Sequence, residues 1–117
     1  MDDDPEIQQL LANIVEGRGY SAIAVGSGKR ALEEVRRGPF DLIFLDLVLP
    51  GLSGVDVLRA IKADSERTVV AIITGYGDDA IALEAMLLGP MFFVRKPFQV
   101  KDALKIIDAI MRPHPLI

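Results

Sequence analysis

The chain contains no cysteine and no tryptophan, and only 6% of its 117 residues are aromatic. Without cysteine there is no disulfide scaffold and no thiolate site for zinc or an iron-sulfur cluster. So few aromatic side chains suit a sheet covered by helices better than an aromatic-rich sandwich. Basic excess is also missing: 17 acidic residues against 13 basic ones leave a formal charge of -4. Such a chain offers no field to hold a polyanion, so nucleic-acid binding by this chain alone is not expected. No apolar run approaches the ~18 residues of a membrane span, and the first residues are acids rather than a basic and apolar signal segment. A soluble, cytoplasmic domain is the expectation, with no membrane contact.

Half of the residues are hydrophobic, enough at this length for one domain with its own core. The chain is organised around Phe40-Asp41-Leu42-Ile43-Phe44-Leu45-Asp46-Leu47-Val48-Leu49-Pro50-Gly51. An apolar run bounded by a Pro-Gly turn reads as a strand buried on both faces, with Asp46 at its end. As a purely structural residue Asp46 would cap the turn before Pro50. As a functional one it would sit on the carboxyl rim of a parallel sheet, where open α/β folds place their ligands.

The remaining chain alternates helix and strand. Asp4 can cap a helix that begins with Pro5 and Glu6 and repeats Ile7, Leu10, Leu11, Ile14 and Val15 at helical spacing, until Gly17 and Gly19 end it. Ser21 to Val25 is expected as a short strand. Lys29 to Arg37 is expected as a helix with Ala31, Leu32 and Val35 inward. Gly28-Lys29-Arg30 lacks the spacing and the hydroxyl of a phosphate loop. After the Asp41 to Leu45 strand come a Ser53 cap, a helix carrying Val57, Leu58 and Ile61 up to about Lys62, and a buried strand Val69 to Ile73 ending at Thr74. A helix capped by Asp78 or Asp79 runs to about Leu88, Met91 to Val94 is the last strand, and Val100, Ala103, Leu104, Ile107 and Ile110 mark a final helix. The pattern predicts an open parallel sheet with helices on both faces. It aligns Asp46, Thr74 and Lys96 at strand ends, with Asp2-Asp3-Asp4 just before the first helix. Carboxylates, a hydroxyl and an ammonium are together complementary to a phosphoryl group and a divalent cation.

At these residues the chain resembles the receiver domain of two-component response regulators, a family with a flavodoxin-like fold. The resemblance rests on the acidic pair Asp2-Asp3 followed by Asp4-Pro5, on Asp46-Leu47-Val48-Leu49-Pro50 with Gly54, on Thr74, and on Lys96-Pro97-Phe98. It implies a receiver over residues 1–112 with a tail at 113–117. It also implies transfer of a phosphoryl group from a histidine kinase or phosphotransfer protein to Asp46. Asp3, Asp46 and the Val48 carbonyl would bind Mg²⁺, with Asp2 helping through water; the cation relieves clustered carboxylates and neutralises phosphoryl charge. Lys96 would pair with Asp46 and then with the phosphoryl group, and Thr74 would hydrogen-bond that group. Phe93 falls at an aromatic position coupled to the threonine. Phenylalanine has only apolar area, so an inward ring is favoured, and core packing and switching are equally open. Phe92, beside it, either packs inward or adds to an interaction surface. Val48, unable to orient water, implies a long-lived acyl phosphate.

One departure stands out. The family carries an apolar first strand ahead of its acidic pair, central in the order 2-1-3-4-5, and here only Met1 precedes Asp2. That strand is expected to be absent, supplied by another chain, or bypassed by pairing of its two neighbours, and a homo-oligomer that covers the exposed edge is one outcome. Asp2 and Asp3 would then be poorly held and bind Mg²⁺ weakly. The chain is not expected to be a metabolic enzyme. A truncated or pseudo-receiver that binds partners without efficient phosphorylation is the alternative. A haloacid-dehalogenase-like phosphatase is disfavoured, because Val48 stands where that class has a second acid.

Overall fold

The computed structural model describes residues 1–2, 4–37, 40–47, 54–64, 68–75, 83, 86–87, 89, 92–96 and 99–111. Three parallel strands, β1 (Leu42–Asp46), β2 (Val69–Thr74) and β3 (Phe92–Arg95), form one sheet in that order. Among the described residues four helices are delimited, α1 (Pro5–Gly17), α2 (Gly28–Arg37), α3 (Gly54–Asp64) and α4 (Val100–Met111), and Leu83 and Met86 are also helical.

β1 and β2 are apolar nearly throughout because both of their faces are covered, and successive side chains go to opposite sides. Ile43, Leu45, Val70 and Ile72 join Ala31 of α2 and Val55, Leu58 and Ile61 of α3 in one core cluster. Phe44, Ala71 and Ile73 join Leu11 and Ile14 of α1 and Ala103, Ile106 and Ile107 of α4 in the other. The fold is therefore a flavodoxin-like three-layer α/β arrangement, with α2 and α3 on one face and α1 and α4 on the other.

Local chemistry sets the helix ends. The Asp4 carboxylate accepts the Glu6 N–H at 2.9 Å, and Pro5 supplies a residue that needs no donor in the first turn. Beyond the α1 C-terminus Gly19 takes φ +88°, a left-handed geometry that glycine adopts without a side-chain clash. Along α2 Ala31 is buried and Val35 packs against the same cluster, as expected, whereas Leu32 is only partly covered and Glu34 is buried beside them. The Ser53 and Asp78 or Asp79 caps lie outside the described residues, as do Met91 and residues 112–117.

Residues 21–25 are not a strand, contrary to expectation. A strand needs a neighbour to complete its ladder, and among the described residues this segment shows one such bond, from the Asp2 N–H to the Val25 carbonyl at 3.0 Å. Nor do residues 21–25 close directly onto β1. Met1 and Asp2 stand between them: the Met1 ammonium donates to the Phe44 carbonyl at 2.9 Å, and the Asp46 N–H donates to the Met1 carbonyl at 2.9 Å. Two residues thus follow the track of a central strand and hold Asp2 ahead of α1.

Candidate functional site

The parallel register sets the carboxyl rim. Asp46 pairs with Ile73, so Thr74 lies one step beyond it on β2; Thr74 in turn pairs with Arg95, so Lys96 lies one step beyond that on β3. The Lys96 N–H donates to the Thr74 carbonyl at 2.7 Å and extends the ladder by that step. Thr74 is buried at the strand end, one step from the lysine.

Lys96 joins two carboxylates from distant parts of the chain. Its Nζ donates to Asp46 Oδ2 at 2.7 Å and stands 3.3 Å from Asp2 Oδ2. Asp46 is 4% exposed and Asp2 is 0% exposed, so neither charge is screened well by water. Asp2 Oδ1 accepts the Asp4 N–H at 2.9 Å, whereas Asp2 Oδ2 is buried without a hydrogen bond, its approach to Lys96 being an ionic contact. Burial raises the Asp2 carboxyl above its usual range, and the nearby Asp46 charge adds to this against the opposing Asp4 N–H and Lys96. Burial alone would lower the Lys96 ammonium. The Asp46 hydrogen bond and the charges of Asp46 and Asp2 outweigh that and hold it above its usual value.

Asp2 is firmly held, which corrects the expectation of a loose N-terminal acid. Its N–H reaches Val25, its carbonyl accepts Gln8 Nε2 at 2.7 Å, and its Oδ1 is fixed by Asp4. Gln8 escaped the sequence reading because a polar residue one turn into a helix ordinarily faces solvent. Gly54 is the other positioning residue. Its N–H donates to the Leu47 carbonyl at 2.8 Å, and α3 begins so close to the end of β1 that a Cβ there would meet only backbone of Leu47 and Asp46.

The structure therefore brings Asp2, Asp46, Thr74 and Lys96 to one rim. Asp3 and Val48, the other expected metal ligands, lie outside the described residues. Phe92 is partly buried against the cluster that contains Phe44 and Ile73. Phe93, expected inward, is the outward ring: it lies on the Ile72 face at the last described strand of the sheet and is 42% exposed. Among the described residues no group of three or more acidic or histidine side chains is clustered for a metal ion. The pair that is described still suits a hard cation, since Asp2 Oδ2 is a buried carboxylate oxygen with no hydrogen bond, beside a second carboxylate. No described helix is long and apolar enough to cross a membrane.

Comparison with known proteins meets the same site. The response regulator receiver domain model matches residues 1–108. The DNA-binding response regulator MtrA of Mycolicibacterium smegmatis is 35% identical over 112 residues, covering 96% of this chain and 49% of that protein. The response regulator protein TodT of Pseudomonas putida is 31% identical over 115 residues, covering 98% and 51%. The chain thus spans about half the length of these curated relatives. Among solved structures, the receiver domain of NtrX from Brucella abortus superimposes with a TM-score of 0.84 at 27% identity, covering 97% of this chain and 96% of that one. Receiver domains are signalling modules that meet histidine kinases or phosphotransfer proteins and generally bind Mg²⁺ at the phosphorylation site. This chain belongs to that family, the response regulator receiver domains, and is a phosphoacceptor module of the two-component type.

Proposed function

We propose that Asp46 is the phosphoacceptor, and that Lys96, Thr74 and Asp2 serve the transfer. The observation that carries this is the Lys96 ammonium, 2.7 Å from Asp46 Oδ2 and 3.3 Å from Asp2 Oδ2 at the carboxyl rim of the sheet. A nucleophilic carboxylate is weak unless it is positioned and the charge that develops on the electrophile is stabilised. β1 fixes Asp46, and the cation that now pairs with it is one side chain away from an incoming phosphoryl oxygen.

The donor of this reading is a phosphohistidine of a histidine kinase or phosphotransfer protein. An Asp46 carboxylate oxygen forms a bond to phosphorus while the phosphorus–nitrogen bond of the donor breaks, its electron pair returning to the imidazole. The product is an acyl phosphate on Asp46. Lys96 then exchanges its carboxylate partner for a phosphoryl oxygen, and the Thr74 hydroxyl donates to another. The chain assists its own phosphorylation in this sense without turning over a metabolite.

Asp2 and Asp46, with Asp3 and the Val48 carbonyl as the family pattern implies, would hold Mg²⁺. When bound, the cation neutralises charge on the transferring phosphoryl oxygens. Phe92 and Phe93 are assigned to partner contact or switching on this reading, Phe93 being the side chain that a partner reaches. Action in the cytoplasm is the reading that membership of the receiver family supports.

Intact mass after incubation with acetyl phosphate and Mg²⁺ tests the assignment. One phosphate adduct is expected on the native chain, and none on Asp46→Asn or without metal. No adduct on native protein shown to be folded would sink it and leave an interaction module. On the same reading Val48→Asn shortens the lifetime of the adduct, followed as loss of the added mass with time; an unchanged lifetime removes Val48 from hydrolysis.

A further inference from the structure

Two glutamines follow one another early in α1, and they do different things. Gln9 Nε2 donates to Asn13 Oδ1 at 2.8 Å, an exposed bond along the helix surface between residues one turn apart. Gln8 is partly buried and reaches away from the helix, its Nε2 donating to the Asp2 carbonyl at 2.7 Å. This side chain ties α1 back to the residue whose carboxylate stands beside Asp46.

Gly26, between residues 21–25 and α2, closes the other side of that amide. A Cβ on Gly26 would come within 2.9 Å of Gln8 Nε2, a separation that a Cβ does not keep, while the Asp2 carbonyl oxygen at 3.6 Å would be an ordinary contact. Backbone geometry does not require glycine at this position: among the described residues the glycines at positive φ are Gly19 and Gly89. What Gly26 supplies is room. The amide is the mobile end of a flexible side chain, so with a larger residue at 26 the glutamine yields and its bond to Asp2 is lost. The segment at 25–26 therefore holds Asp2 in two ways, through the Val25 carbonyl, which accepts the Asp2 N–H, and through the space left for Gln8.

We propose that Gln8 is a positioning residue for the cation site and that Gly26 is its complement. Gln8 fixes the Asp2 backbone so that Oδ2 is presented beside Asp46, and Gly26 leaves the space through which the Gln8 amide reaches that backbone. The inference rests on the reading of Asp2 as a Mg²⁺ ligand. Asp2 Oδ1 is held by the Asp4 N–H, a donor of the same short segment that moves with it, so orientation against the sheet depends on the bonds of the Asp2 N–H and carbonyl. Asp2 is 0% exposed, and without Gln8 its carbonyl is left buried without this donor. Groups that orient a metal ligand commonly change metal affinity by about tenfold or more when removed.

The test is a titration of MgCl₂ into the unphosphorylated full chain, followed by the amide resonances of Asp46 and Lys96, with amide hydrogen exchange measured on the metal-free protein. Gln8→Met keeps the length of the side chain and removes the donor. It is expected to weaken Mg²⁺ binding about tenfold and to speed exchange of the Asp4 amide, while exchange of the core amide of Ile72 stays native. Gly26→Ala is expected to do the same. In a Gln8→Ala background, where the amide is gone, adding Gly26→Ala is expected to change Mg²⁺ affinity by less than about twofold, because the two residues act as one unit. Native affinity and native Asp4 exchange in Gln8→Met would overturn the proposal. Additive losses in the double variant would overturn the pairing with Gly26, and equal acceleration at Ile72 and Asp4 would show general destabilisation in place of positioning. Native protein that binds no Mg²⁺ would overturn the metal reading and this inference with it; failure of Gln8 alone is told apart by native protein that binds and Gln8→Met that binds as tightly.

Discussion

Asp2 and Lys96 are both raised, Asp2 chiefly by burial and Lys96 by its carboxylate partners, and the sign of each can be followed. Asp2 has its carboxyl raised above the ordinary 3.8, chiefly by burial. Between the unfolded and folded values the native state holds more protons than the unfolded one, so stability falls as pH rises through that window. In metal-free buffer, Asp2→Asn is expected to flatten the fall in urea midpoint above pH 3.8; an unchanged slope would place the buried proton elsewhere. Lys96, raised above 10.5, contributes stability that is complete below that value and is lost as pH rises through the folded value. Mg²⁺ should raise the midpoint of the native chain and not that of Asp2→Asn. Gly54 makes a different demand. A Cβ there would meet the Leu47 Cα and stand 2.6 Å from the Leu47 carbonyl oxygen and 2.7 Å from that of Asp46, none of which can rotate away. Gly54→Ala is expected to cost about 3 kcal/mol, the upper end for overpacking, and to reduce phosphate incorporation because it displaces Asp46. A urea midpoint within error of the native one would contradict it. The motif glycine was legible in the sequence as part of a pattern; its reason, the backbone approach of α3 to β1, was not.

Helix α1 couples the N-terminal acids to the core, and its start can be tested apart from the site. Asp4 caps the helix through the Glu6 N–H, while its own N–H holds Asp2 Oδ1. Asp4→Ala removes only the first of these bonds, since the backbone donor remains. A loss of about 1 kcal/mol is expected in urea denaturation, with phosphate incorporation retained. Loss of incorporation without loss of stability would show that the Asp4 carboxylate acts on the site itself. The elements that the sequence revealed best are those set by local signals: the Asp4-Pro5 start, the Gly17 end, and the doubly buried runs of β1 and β2. Residues 21–25 were misread because their apolar character is local, while strand identity depends on a neighbour. Phe93 could not be allocated from the sequence for a related reason. It shares the inward face of Ile72 by register, but it stands on the last described strand of the sheet, where covering is incomplete. Glu34 escaped because a glutamate between apolar residues of a helix ordinarily lies outward; here it is buried and reaches Arg37 at 3.6 Å.

For the molecule as a whole, Met1 and Asp2 hold the track between residues 21–25 and β1, beside a cleft lined by Ile23, Val25, Leu42 and Phe44. The consequence of that cleft for stability can be measured in cis by adding Ile-Leu-Ile-Val directly ahead of Met1. The extension would place apolar side chains between α1 and the α2 side of the sheet and bring donors and acceptors to Leu42 and Phe44. Each buried aliphatic side chain contributes about 2 kcal/mol and each net hydrogen bond about 1 kcal/mol. Ordering each added residue costs about 2 kcal/mol, which leaves a gain on the order of 3 kcal/mol for the segment. A charge effect accompanies it. The Met1 ammonium lies below its usual 8.0, first because it is buried, although the Asp2 and Asp46 charges oppose this. Between the folded value and 8.0 the unfolded chain binds the extra proton, so native stability rises with pH through that window. In the extended chain the ammonium becomes a neutral amide, and this rise disappears. The expected result is a higher urea midpoint together with a flatter pH profile below 8.0. An unchanged midpoint with the flat profile would mean that the extension neutralises the terminus without entering the sheet, and that the cleft does not accept a strand.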